Sequence, residues 1–205
     1  MKLYFHYCSY GFSNCYVLGA EDRSAAIIID PGSMDEQLLE YLEKDDLNLR
    51  AVLITHDHSG HIHGLRTLMR IYHMEVFAIN RFIYEHKTTP LKDGDKINIG
   101  PFSVEVISIP GHSADSAVYR IDRLLFTGDV LTTGMVGSTA SAYSAATQIN
   151  KLRSRILSLP GDYTILPGHG PPSTLEAERR YNIGITRHNE MQIRKPSFRL
   201  GLLKE

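Results

Sequence analysis

Cysteine is scarce in this sequence of 205 residues, where Cys8 and Cys15 are the two examples. Both lie in strand-like sequence near the start. They could pair, but the reading taken is two buried free thiols in a reducing cytoplasm. An excess of either charge is also missing: 22 lysines and arginines face 23 aspartates and glutamates, for a net charge of -1. That balance argues against a dedicated nucleic-acid binder, which carries a basic surplus. No stretch reaches the roughly 20 apolar residues that a membrane span needs. The opening MKLYFHYCSYG lacks the charged segment and long apolar run of a secretory signal. The expectation is a cytoplasmic protein that engages neither membrane nor nucleic acid. No low-complexity linker or short-period repeat interrupts the chain. Residues 1–205 therefore read as one domain, long enough to bury a substantial core.

What the sequence does contain is short apolar runs alternating with helix-like segments. Strands are expected over 3–7, 14–19, 25–30, 51–55 and 75–79, with amphipathic helices over 34–46 and 61–73. The second half repeats the alternation. The turn Asp93-Gly94-Asp95 leads into strands at KINIG, FSVEVISIP, AVYRI and LLFTG, then a helix over 143–159, a strand at YTILPG and a helix over 174–183. This order predicts sheets covered by helices, with polar residues gathered at strand ends.

The stretch THDHSGHIHG, residues 55–64, places four histidines within eight positions. Residues two apart on extended chain point to one side, so His56 and His58 can aim at one cation. Further along come His112 in IPGHS, Asp129 in FTGDV and His169 in LPGHG. Each follows an apolar run and lies beside a glycine. A lone loop histidine is ordinarily a surface residue, but a set of histidines and an aspartate at the ends of apolar runs calls for a metal. Ser59 and Ser113 lie beside these residues without the flanking pattern of a nucleophile elbow, and read as turn or cap residues.

These motifs resemble the metallo-β-lactamase superfamily, whose pattern is HxHxDH followed by a histidine, an aspartate and a last histidine. The turn Asp30-Pro31-Gly32 and the position of Gly64 fit the same pattern. The resemblance implies an α/β fold, a four-layer αββα sandwich with metals in a groove at one edge of the sheets. It implies zinc as cofactor, one or two ions, with iron or manganese as alternatives. His56, His58 and His112 would hold the first ion, Asp129 would bridge, and His61 with His169 would hold the second. His63 is turned about 200° from His61 on a helix and is not expected to ligate.

One position departs from the family pattern: Gly60 stands where an aspartate is usual. The three-imidazole first site keeps the arrangement of a catalytic zinc, whereas the second loses a ligand and should weaken. One carboxylate fewer also leaves the centre more positive and favours a small anionic substrate. LFTGDVLTTGMVGST and PGHGPPSTLEAERRYNIGI are similar to short glyoxalase II-like thioesterases, which implies hydrolysis of a small thioester, ester or lactone by metal-activated water. Ser138-Thr139-Ala140 departs from those relatives. Ser141 and Tyr143 could line the groove, and Arg187, His188 and Arg194 could fold over it. A persulfide dioxygenase-like iron enzyme, a non-catalytic metal-binding protein and a phosphodiesterase stay open as alternatives.

Overall fold

In the computed structural model, which describes residues 1–186, the apolar runs assemble into two six-stranded sheets. The first contains Lys2–Tyr7 (β1), Asn14–Gly19 (β2), Ala26–Ile29 (β3), Leu49–Leu53 (β4), Glu75–Ala78 (β5) and Thr89–Pro90 (β6), side by side in that order. The second contains Lys96–Ile99 (β7), Phe102–Ser108 (β8), Ala117–Ile121 (β9), Leu124–Gly128 (β10), Thr164–Pro167 (β11) and Ser173–Thr174 (β12), again in chain order across the sheet. Helices Glu36–Lys44 (α1), Ser59–Ile62 (α2) and Leu65–Ile71 (α3) belong to the first half. Helices Ala142–Lys151 (α4) and Leu175–Tyr181 (α5) belong to the second.

Three apolar layers explain why the strands read as runs rather than as alternations. Tyr16, Leu18, Ile27, Ile29, Leu53 and Phe77 meet Val104, Val106, Tyr119 and Phe126 between the sheets. On the outer face of the first sheet, Val17, Ile28 and Val52 pack with Leu38, Leu42, Leu65 and Leu68. On the outer face of the second, Ile107, Val118, Leu125 and Ile165 pack with Leu152, Ile156 and Leu175. The result is the helix–sheet–sheet–helix order expected. A nine-residue helix such as α1 is too short to persist alone. It is held by Leu38 and Leu42, each worth about 2 kcal/mol of burial, and by Asp35, whose side chain accepts from Leu38 N at its first turn.

Two helices differ from their expected form. The segment 61–73 is broken at His63-Gly64, where Gly64 N donates to Pro31 O at 2.8 Å. A Cβ on Gly64 would stand 2.4 Å from the backbone of Ser33, so glycine lets this junction press against the turn after β3. The segment 143–159 starts as α4 and widens into π-helical turns over Leu152–Leu157, which keep Leu152 and Ile156 buried.

Topology brings the polar strand ends together. β3, β4 and β5 run parallel, and β8, β10 and β11 share one direction because the two antiparallel steps through β9 reverse it twice and β11 pairs parallel to β10. The sheets are joined at this edge by Ala117 N donating to Thr55 O at 2.9 Å and by Tyr119 Oη donating to Ile54 O at 2.7 Å. Among the described residues, no helix is long and apolar enough to cross a membrane.

Candidate metal centre

His56 follows β4, His112 follows β8, Asp129 follows β10 and His169 follows β11, while His58 and His61 sit at and inside the short helix α2. The fold thus draws all six sequence-selected side chains to one edge. Three groups form in which the potential donor atoms lie within 4.8 Å of one another: His56, His58 and His112; His61, Asp129 and His169; and Asp30, His56 and His61.

Hydrogen bonds on the far side of three rings fix their working tautomer. His56 Nδ1 lies 3.0 Å from Thr55 Oγ1, whose own proton goes to Asp30 Oδ2 at 2.6 Å. His61 Nδ1 donates to Asp30 Oδ2 at 3.0 Å, and His112 Nδ1 donates to Ser138 O at 2.9 Å. Each ring therefore turns the lone pair of Nε2 inward. Those of His56 and His61 are buried with no hydrogen-bond partner among the described residues. Asp129 Oδ2 stands 3.8, 3.5 and 3.6 Å from Nε2 of His56, His61 and His112. These gaps are too long for hydrogen bonds and suit groups sharing a cation. His58 completes the first set, its Nδ1 3.0 Å from His112 Nε2. A buried donor set of bare imidazole nitrogens around a carboxylate fits a metal ion, because desolvated lone pairs otherwise go unsatisfied.

At His56 and His58 the electrostatics agree with that use. Burial, followed by the charge of His61, pushes His56 far below the ordinary histidine range, and burial with the neighbouring His112 lowers His58. Both are thereby neutral and ready to ligate. Burial works against the charged form of Asp129, yet hydrogen bonding from His169 and the proximity of His61 hold its carboxyl well below the usual range. Burial likewise opposes protonation of His61, but the Asp129 and Asp30 carboxylates outweigh it and raise His61 to about 10.

Four residues position the ligands: Asp30, noted in the sequence only as part of its turn, and Asp115, Asn14 and Gln148, which the sequence did not single out. Asp30, in the turn after β3, accepts from Thr55 N at 2.7 Å as well as from Thr55 Oγ1 and His61. Asp115 accepts from Asp57 N and Asn80 Nδ2, each at 3.0 Å, and so pins the His56–His58 turn. Asn14 brackets the His169 turn by donating to Pro167 O and Gly170 O at 2.9 and 2.7 Å. Gln148 on α4 donates to Gly137 O at 3.0 Å and Val130 O at 3.3 Å, fixing the loop after Asp129.

Other selected residues fall into place around the centre. His63 faces away from it and stacks on Tyr10, with ring centroids 3.8 Å apart. Ser59 opens α2, and Ser113 bonds Ser116 in a turn. Ser141 caps α4, and Tyr143 is 83% exposed. Arg187, His188 and Arg194 lie outside the described residues. Cys8 and Cys15 are buried and free.

Gly168 packs directly against the centre, since a Cβ there would stand 2.5 Å from Asp129 Oδ1 and 2.6 Å from His61 Cε1. Gly168→Ala should therefore displace these side chains and weaken zinc binding by about 10–100-fold, the range seen when supporting groups of a metal site are disturbed. Competition with a chromophoric chelator checks this. Unchanged affinity would mean the crowding relaxes elsewhere.

The sequence pattern of the Metallo-beta-lactamase superfamily matches residues 9–169. Hydroxyacylglutathione hydrolase GloC of Haemophilus influenzae is 28% identical over 193 residues, covering 82% of this chain and 91% of that protein. The probable polyketide biosynthesis zinc-dependent hydrolase BaeB of Bacillus velezensis is 29% identical over 181 residues, covering 82% of this chain and 80% of that protein. Among solved structures, TTHA1623 in a di-iron-bound form superposes with a TM-score of 0.75 at 25% identity, covering 88% of this chain and 98% of that one.

Proposed function

This chain belongs to the metallo-beta-lactamase superfamily, and on that footing we propose that it is a zinc-dependent hydrolase of small thioesters, with esters and lactones as neighbouring substrates. The observation that carries the reading is the inward convergence of imidazole lone pairs from His56, His58 and His112 on the side where Asp129 Oδ2 stands. Those three histidines would hold the ion. Zinc bound there supplies water acidified to a pKa near about 7 and an electrophile for the substrate carbonyl.

The chain's own groups do the rest. Asp129 stays ionised and presents a fixed negative oxygen beside the lone pairs. Asp30 orients His61 directly and His56 through Thr55, and Ser138 O orients His112. His58 is exposed while His56 is 1% exposed. Substrate therefore approaches from the His58 side. The lack of a carboxylate at Gly60 favours an anionic substrate.

Support for the thioester comes from the hydroxyacylglutathione hydrolase relative, and support for zinc from the zinc-dependent one. Zinc, iron and manganese forms should be assayed with S-lactoylglutathione, simple acyl thioesters, an ester and a lactone. The zinc form is expected to hydrolyse the thioesters, to lose activity with a chelator and to regain it with zinc. Failure of every form on every substrate would overturn the reading. Oxygen consumption on glutathione persulfide by the iron form alone would replace it with a dioxygenase.

A further inference from the structure

The two cysteines meet at the root of the loop that joins β1 to β2. His6 faces Cys15 across these strands, and Cys8 N donates to Ser13 O at 2.8 Å, which carries the same pairing one step past Tyr7 and Asn14. Two steps along a strand return to the same face, so Cys8 falls beside His6 and diagonal to Cys15. All three are buried, the cysteines at 0% exposure and His6 at 3%. Both thiols are free, and that of Cys15 donates to the Cys8 sulfur. Contact of this kind leaves the two sulfurs within reach of a covalent bond.

The surroundings treat the two sulfurs differently. Hydrogen bonding from Cys15 lowers Cys8 to about 6; burial opposes the shift, while Ser33, the His6 ring and Ser13 assist it. Burial, followed by the neighbouring Cys8, pushes Cys15 up. The pair therefore sets a nucleophilic thiolate beside a thiol. His6 Nε2 donates to Asp35 Oδ2 at 2.9 Å, which leaves Nδ1 as an acceptor, buried and with no hydrogen-bond partner among the described residues. A proton acceptor thus sits on the face that carries both sulfurs. Hydrolysis at the metal centre uses none of these groups.

Access comes from the edge. β1 is the outermost strand of its sheet, and Ser9, Tyr10, Gly11 and Phe12, directly after Cys8, are exposed. Local opening of this edge admits a small oxidant to Cys8. The loop above the pair ends at the metal centre. Ser13 Oγ donates to Gly60 O at 2.5 Å, Gly11 O lies 3.0 Å from His169 Nε2, and a Cβ on Gly11 would stand 2.5 Å from Gly60 Cα.

We propose that Cys8 and Cys15 are a peroxide-oxidisable pair that closes as a disulfide across the root of the β1–β2 loop. The Cys8 sulfur attacks one oxygen of hydrogen peroxide: an S–O bond forms, the O–O bond breaks, and the departing hydroxide becomes water with the proton that Cys8 gave up. The Cys15 sulfur then attacks the Cys8 sulfenic acid, forming the S–S bond and releasing the hydroxyl as water with the Cys15 proton. Two thiols lose two electrons, and the peroxide is reduced to two waters. No step involves the metal or a thioester, so the pair is independent of the hydrolase reading.

The full chain, reduced and freed of reductant, is treated with hydrogen peroxide in its native state, quenched in acid, unfolded with an alkylating reagent and mapped by mass spectrometry. Loss of both free thiols is expected, with a Cys8–Cys15 linked peptide that dithiothreitol reverses. Cys15→Ser, which keeps a donor beside Cys8, should accumulate a dimedone adduct at Cys8, whereas Cys8→Ser should leave Cys15 a free thiol. Two free thiols persisting at a peroxide dose that fully oxidises free cysteine would overturn the proposal. So would sulfinic acid at Cys8 beside a free Cys15, or linkage only between chains. A dimedone adduct at Cys15 in Cys8→Ser overturns the order of attack. The parent map decides the pairing even if a variant fails to fold.

Discussion

Alanine in place of His58 is expected to strip the ion and to lower kcat/KM on a thioester by about 10³-fold or more, because the acidified water goes with it. His58 suits this experiment better than its neighbours. It is exposed, its side chain makes no capping bond to α2, and its Nδ1 meets His112 Nε2 on the exposed side of the centre. Removing the ring therefore leaves no buried void and no stranded donor, so the unfolding midpoint of the metal-free protein should move by less than about 2 °C. Zinc content, kcat/KM and thermal unfolding measured on one preparation separate loss of metal from loss of fold. A variant with full zinc and activity within about tenfold of the parent would remove His58 from the centre.

Asp30→Ala should act in the opposite way, by stability first. Asp30 is 2% exposed and accepts from Thr55 N, Thr55 Oγ1 and His61 Nδ1. Deleting the carboxylate leaves three buried donors without a partner, a loss of about 3–5 kcal/mol by analogy with one-sided removal of a buried pair. At this chain length that is a fall in melting temperature of about 10 °C or more. Backbone geometry adds to it, for Asp30 has φ +52, which aspartate and asparagine tolerate better than alanine. Asp30→Asn keeps that conformation and an acceptor oxygen and should recover about half the loss. Zinc affinity should also fall in both variants, since Asp30 orients His61 directly and His56 through Thr55. An alanine variant as stable as the parent would show that water or a shifted side chain replaces the carboxylate.

Much of this was legible in the chain, for identifiable reasons. β3, and β4 from Ala51 onward, are apolar runs because each is covered on both faces, and that pattern betrays a layered sheet without any knowledge of partners. His56, His58, His112, Asp129 and His169 stand out because a polar group directly after such a run marks a strand end. What stayed hidden depends on contacts distant in sequence. The break at Gly64 is imposed by Pro31 and Ser33, which helical periodicity does not register. Asn14, Asp115 and Gln148 serve carbonyls and amides that only the folded chain brings to them. Gly60 was visible as a missing ligand, but the loop that lies against it, and the engagement of both nitrogens of His169, could be found only in three dimensions.

The placement of the two sheets gives the centre a further character. Residues 2–90 make the first and 96–174 the second, so His56, His58 and His61 come from one continuous stretch of polypeptide, and His112, Asp129 and His169 from the next. Neither the His56, His58 and His112 group nor the His61, Asp129 and His169 group is complete within one stretch. Turnover is therefore a readout of whether the halves have come to rest against each other, and a bound ion acts as a rivet across their seam.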